Sequence, residues 1–208
     1  MTGRYVARYV ARDGTRSLRL AVTTRDALDR SYIGSSERGK ERAGTADLKL
    51  SPSGGVAYRL QGDLGRRSRD SVGTGYSYEI DERSALGEVT VRRLGDLEAG
   101  LAAALYSATE NVEGIDVTRT TVTPSVKYRL RGRGTASVSF SRIDLSSSAE
   151  TLPIYLEGGR RPGLSTEWRA AADYRLNRYL TASLSYTGEK RSESDARHTL
   201  DVRVNAYF

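Results

Sequence analysis

The sequence predicts an all-β fold, a single domain over residues 1–208 built as an antiparallel, up-and-down transmembrane β-barrel of about 12 strands, with 10 or 14 also open. Three observations carry this. Apolar and polar side chains alternate at a period of two through nearly every segment, giving each strand one apolar and one polar face. Tyr (13) and Gly (21) are abundant, a composition of strands and turns with few helix signals. Short turns alternate with long polar loops, an asymmetry of membrane barrels.

Hydropathy agrees. Only 38% of residues are hydrophobic, mean hydropathy is −0.54, and the longest apolar run, Leu101 to Tyr106, is about six residues against the roughly 20 a membrane helix needs. A helical membrane protein is excluded, whereas a barrel passes, because half of each strand faces water. The absence of cysteine rules out disulfides and thiolate metal sites, and fits an oxidising envelope compartment. The segment Met1 to Arg8 carries no apolar signal region, so an exported protein is represented by a mature form or by part of a longer one.

Along the chain, Tyr5, Ala7, Tyr9 and Ala11 oppose Arg4, Arg8 and Arg12 and lead to a hairpin turn at Asp13-Gly14. Leu18, Leu20 and Val22 follow, then a polar stretch from Thr24 to Arg42 that reads as a long loop. Alternation resumes at Ala46, Leu48 and Leu50, turns through residues 51–55, and returns with Val56, Tyr58, Leu60, Gly62 and Leu64. After a basic connection over residues 65–70 come Tyr76, Tyr78 and Ile80, then Val89 and Val91 as a separate strand, then Leu97 to Leu105, where Ala and Leu also permit a helix. Val122, Pro124, Val126, Tyr128 and Leu130 oppose Thr121 to Arg129. Pro124 cannot donate to a ladder and is expected near a rim. Ala136, Val138 and Phe140, a polar segment to Gly163, Trp168 to Tyr174, a turn at Leu176-Asn177, Leu180 to Tyr186 and a charged loop over residues 188–197 complete the run. If both termini lie on one side, the turns at Gly95, Gly132 and Asn177 share that side, but Asp13-Gly14 falls on the other. A strand is therefore miscounted, or the first half departs from the rule.

The last nine residues place Leu200, Val202, Val204, Ala206 and Phe208 on one face and Asp201, Arg203 and Asn205 on the other. This terminal strand ending in phenylalanine resembles the carboxy-terminal signal of bacterial outer-membrane β-barrel proteins. The resemblance implies location in the bacterial outer membrane, contact with the lipid bilayer, and recognition by the barrel-assembly machinery. Tyr58, Tyr128, Trp168, Tyr174, Tyr186 and Phe208 sit toward strand ends and are expected to form interface girdles. The opposite arrangement, a soluble β-barrel with its apolar face inward around an apolar ligand, has the same periodicity.

The net charge is +7. The basic residues recur on the polar faces of strands among Asp and Glu rather than in one patch, so the pattern describes a lumen ladder and not a nucleic-acid surface. Arg19, Arg59, Lys127, Arg129, Arg169, Arg175 and Arg203 are the expected lumen residues that set selectivity, with small anions or polar solutes as the species attracted. No cofactor or metal is implied. There is one histidine, His198, and no HExxH, Walker or GxSxG motif; Thr199, Ser192 and Ser194 have no identifiable activating partner. The chain therefore reads as no enzyme, with no catalytic residue. The expected function is a small, basic-lined passive pore. The alternative is a closed barrel acting as membrane anchor or adhesion scaffold through the loops Thr24–Arg42 and Ser146–Gly163, or the carboxy-terminal fragment of a larger barrel.

Overall fold

A computed structural model describes residues 2–30, 36–52, 54–72, 77–130, 133–157, 160–191 and 194–206. The strands are β1 (Thr2–Val10), β2 (Arg16–Arg30), β3 (Ser36–Leu50), β4 (Val56–Val72), β5 (Ser77–Leu94), β6 (Leu97–Glu110), β7 (Ile115–Arg129), β8 (Gly134–Ser147), β9 (Gly163–Arg175), β10 (Leu180–Arg191) and β11 (Arg197–Ala206). They form one 11-stranded sheet in sequence order, each antiparallel to the next. This is the up-and-down barrel architecture.

The count is 11 because Tyr78, Ile80, Val89 and Val91 lie on one 18-residue strand, β5. Their numbers differ in parity, so Tyr78 and Ile80 share one face while Val89 and Val91 share the other. Removing that strand resolves the turn asymmetry. The connections at residues 11–15, 51–55, 95–96, 130–133 and 176–179 now all fall at one end of the barrel, the short-turn end. Chemistry makes these turns tight: Gly14 (φ 69°) and Gly95 (φ 66°) take left-handed backbone that side chains disfavour, and Asn177 Oδ1 accepts from the backbone N–H groups of Tyr179 (2.8 Å) and Leu180 (2.9 Å). Two expected loops turn out to be strand. Most of Thr24–Arg42 belongs to β2 and β3, paired from Thr24↔Arg42 to Arg30↔Ser36, and the basic connection after Leu64 continues β4.

Exposure identifies which face is outside. On β6, Leu101, Ala103 and Leu105 are exposed, whereas Ala102, Ala104 and Tyr106 between them are partly covered; on β7, Thr120, Val122, Pro124 and Val126 are exposed between the partly covered Thr121, Thr123 and Ser125. The apolar face points outward, which overturns the soluble barrel with an apolar interior. An outward belt runs through Leu18–Val22, Val56–Leu64, Leu97–Leu105, Val122–Tyr128 and Leu180–Tyr186. A contiguous apolar band of this kind needs lipid against it. Toward the other end the outer face becomes charged, as in the Arg66 ion pairs with Glu79 and Asp81, so β3 to β5 extend beyond the belt.

Pro124 lies well inside β7 on the outer face rather than at a rim. The ladder between β7 and β8 is interrupted at Thr123 and Pro124 and resumes in unchanged register from Val122↔Arg142 to Ser125↔Ser139. The hydroxyls of Thr123 and Ser141, 2.9 Å apart, hydrogen-bond across the interruption. A side-chain bond thus spans the place where proline removes a backbone donor.

Candidate functional site: the lumen

Directly paired residues share a face, so the strand register assigns the lumen wall. All seven expected lumen residues fall on the inner face. Arg19 pairs with Asp47, Arg59 with Lys49 and Glu88, Lys127 with Glu98, Arg129 with Thr135, Arg169 with Ser139 and Thr187, Arg175 with Thr181, and Arg203 with Ser183.

These seven differ in their partners. Arg59 Nε donates to Asp47 Oδ1 at 3.0 Å and its Nη2 donates to Gln61 Oε1 at 2.7 Å; Gln61 in turn donates to Asp63, which also accepts from Ser84. Arg203 pairs with Asp201 at 2.8 Å. Arg19, Lys127, Arg129, Arg169 and Arg175 have no carboxylate within 4.0 Å among the described residues. The wall over β3 to β5 is a paired charge ladder, and the cations over β7 to β9 are open to solution.

Around those cations the wall is mostly small hydroxyl side chains; its acids are engaged, Glu167 with Arg160, Glu189 with Arg191, and Asp173, between Arg169 and Arg175, as acceptor from the Ser183 hydroxyl at 2.7 Å. Thr121, Thr123 and Ser125 on β7, Ser137, Ser139 and Ser141 on β8, and Ser183, Ser185 and Thr187 on β10 all face inward, next to Ala102 and Ala104 of β6 and Ala171 of β9. Short hydroxyl side chains leave space and hydrogen-bond water, where long arginines paired across a lumen would fill it. A cavity of about 510 Å³ opens on this wall, lined by Ser139, Ser141, Glu167, Arg169, Thr187, Glu189, Arg197 and Thr199. The hydroxyl wall was missed in the sequence, although its signal, alternate Ser and Thr in β7, β8 and β10, is plain once β8 and β10 are known to flank β9.

The second feature missed is the connection between β8 and β9. Of the segment Ser146–Gly163, expected to be an external loop, residues 148–157 fold inward. Leu152 and Leu156 are buried against Ile80, Ala108, Ile115, Val117 and Leu145, all inner-face residues at the long-loop end. Tyr155 stacks on Tyr78 with ring centroids 4.6 Å apart, its carbonyl accepts from Arg67 Nη2 at 3.0 Å, and Glu157 pairs with Arg119 at 2.5 Å. Burial explains the direction: five apolar side chains at the inner rim would otherwise face water. The segment narrows that end on the side of β4 to β8.

The expected interface aromatics lie on the outer face. Tyr58, Tyr128 and Tyr174 are near the short-turn end; Trp168 and Tyr186 are nearer the long-loop end, and Phe208 lies outside the described residues. Trp168 and Tyr174 are separated by about 20 Å along β9 at ordinary strand rise. His198 belongs to the upper group: its Nδ1 is 2.8 Å from the Tyr186 hydroxyl, and its ring packs 5.6 Å from that of Trp168. The indole covers Gly188 so closely that a Cβ there would fall inside the ring.

No family model and no curated protein matches the sequence. Solved structures do. OmpT of Vibrio cholerae, expressed in the outer membrane, is 11% identical with a TM-score of 0.58, over 98% of this chain and 88% of that chain. The in-vitro folded form gives 11% and 0.59, over 100% and 89%, and its loop L8 deletion mutant 11% and 0.59, over 100% and 90%. The fold is that of bacterial outer-membrane β-barrels, in agreement with the expected outer-membrane location and bilayer contact. The comparison also corrects one expectation. Reading the chain as no enzyme rested on missing motifs, and a barrel fold shared with OmpT at 11% identity leaves activity open, because one fold hosts many functions; that exclusion is withdrawn.

Proposed function

We propose that the barrel forms a water-filled passage for small anions and small polar solutes. The observation that carries this is the inner wall of β7 to β10, where Lys127, Arg129, Arg169 and Arg175 have no carboxylate within 4.0 Å among the described residues, Glu98 opposite Lys127 being paired with Arg92 and Asp173 accepting from Ser183, and where small hydroxyl side chains fill most of the remaining positions. Unneutralised cations on a low-dielectric wall concentrate anions in the water they face. Lys127, Arg129 and Arg175 lie toward the short-turn end and Arg169 sits at the middle of the wall, so an anion meets positive charge in stages rather than at one tight site. Tyr58, Tyr128, Trp168, Tyr174 and Tyr186 hold the belt at the two lipid interfaces, and the carboxy-terminal strand engages the barrel-assembly machinery.

Planar-bilayer recording tests the reading. Discrete conductance steps favouring anions are expected, with the preference moving toward cations in Arg129→Glu and further in Lys127→Glu/Arg129→Glu. Silent bilayers from a folded, heat-modifiable protein remove the passage. That outcome favours the second reading, a closed membrane anchor, which the inward segment between β8 and β9 supports because it already fills part of one mouth.

A further inference from the structure

The two ends of the sheet, β1 and β11, share no contact and no pairing among the described residues. Every described residue of β11 is exposed, and all of β1 is exposed except Gly3, on inner and outer faces alike, unlike the partly covered inner faces of β6 and β7. Each therefore presents a full edge of backbone N–H and C=O groups at the level of the apolar belt, where lipid offers them no partner. The strand count decides what can fill the gap. With 11 strands alternating in direction, β1 and β11 both run from the long-loop end to the short-turn end. They are parallel to each other, and only an odd number of intervening strands can be antiparallel to both. A second copy of this sheet inserted in the same orientation offers edges of that same direction, so it cannot supply an antiparallel neighbour.

We propose that the seam between β1 and β11 is an acceptor for one amphipathic β-strand from outside these 208 residues, running antiparallel to both edges, apolar on its outward positions and acidic on its inward ones. Its outward side chains continue the belt between Tyr5 and Tyr9 of β1 and Leu200, Val202 and Val204 of β11. Its inward side chains meet Arg4 and Arg8, inner-face cations with no carboxylate within 4.0 Å among the described residues; Arg197 on the other edge already faces Glu189 of β10. Arg203 makes no such demand, being paired with Asp201. Carboxylates opposite Arg4 and Arg8 are the cross-strand complement of the β1 edge.

The chain has no cysteine, so introduced thiols report proximity without background. Val6→Cys on β1 is combined in turn with Thr199→Cys, Asp201→Cys and Arg203→Cys on β11, and each 208-residue protein is folded in detergent micelles and oxidised. Neighbouring strands lie about 4.8 Å apart, and a disulfide needs Cβ atoms about 4 Å apart. With one strand's width between the edges, no β1–β11 disulfide forms. A twelve-residue peptide alternating Leu or Val with Glu or Thr, with one central inward cysteine, is then added during folding to the Val6→Cys and Asp201→Cys single variants. Disulfides to both are expected, with the yield falling by roughly tenfold when Lys replaces Glu, because like charges then face each other across the strands. A direct β1–β11 disulfide within one molecule overturns the proposal in favour of parallel closure. Disulfides between molecules overturn it in favour of a second copy, and a folded protein whose edges both ignore the peptide overturns it outright. Conductance plays no part in this readout, so a captured strand in a silent barrel removes the pore and leaves the seam.

Discussion

Leu156 is the strongest anchor of the inward segment, and truncating it separates the segment from the barrel wall. The side chain is 0% exposed, in a cluster with Leu152, Ile80, Ala108, Ile115, Val117 and Leu145. Leu→Ala at a buried site costs about 2–5 kcal/mol, the lost transfer energy plus the cavity. Because the ladders of β5 to β8 pair without the segment, this cost falls on the docking of residues 148–157 and not on the sheet. At about 1.4 kcal/mol per tenfold, the detached population rises by roughly 30-fold at the low end of that range. The remaining anchors do not compensate: the Arg119–Glu157 pair is partly exposed on the arginine side and contributes on the order of 1 kcal/mol, and the Tyr78–Tyr155 stack about the same. Limited proteolysis in micelles measures the effect directly, through cleavage around Ile154, the segment's most exposed apolar residue. Faster cleavage with unchanged circular dichroism and unchanged heat-modifiability is expected, together with a larger conductance step. Cleavage at the wild-type rate would refute the claim that apolar burial holds the segment inside; loss of the barrel itself would refute the claim that sheet and segment are energetically separate.

Three further outcomes follow from particular contacts. Gly188→Val displaces the Trp168 indole and with it the Trp168–His198 packing, so Trp fluorescence in micelles shifts toward that of an exposed indole, while Gly44→Val, where a Cβ meets nothing within 4 Å, leaves it unchanged. Thr123→Val removes the hydroxyl pair that spans the Pro124 interruption and lowers stability against urea-driven unfolding in lipid by about 1 kcal/mol, with Ser141→Ala giving the same loss and the double variant little more. In the first turn, the backbone N–H of Thr15 (3.1 Å) and its hydroxyl (2.8 Å) both donate to Asp13 and hold its carboxyl below the ordinary value of 3.8. A carboxyl depressed in the folded state stabilises the turn above pH 3.8, and that contribution is lost as pH falls through its folded value. Titration of the Asp13 carboxyl by NMR checks this, and Thr15→Ala should move it back toward 3.8.

How much was legible in the sequence depended on the reach of each interaction. Period-two alternation is a property of one strand at a time and survives any arrangement of its neighbours, so the shared apolar faces of Leu97–Leu105 and Val122–Tyr128, and the grouping of Arg19, Arg59, Lys127, Arg129, Arg169, Arg175 and Arg203 on the opposite face, were determined before any pairing was known, whereas which face points outward was not. The turns at Asp13-Gly14 and Asn177 were likewise written in local chemistry. What the tertiary structure alone decided involved partners distant in sequence. Ile80 is apolar on a polar face, and only its meeting with Leu152 and Leu156, more than seventy residues away, explains it. Whether Arg59 is neutralised and Arg129 is not depends on Asp47 lying beside one and Thr135 beside the other. The open seam is decided in the same way: each edge strand is locally complete, and its missing partner becomes visible only when eleven directions are followed around the sheet. Face is a local property of the chain, whereas direction, neutralisation and closure belong to the sheet as a whole.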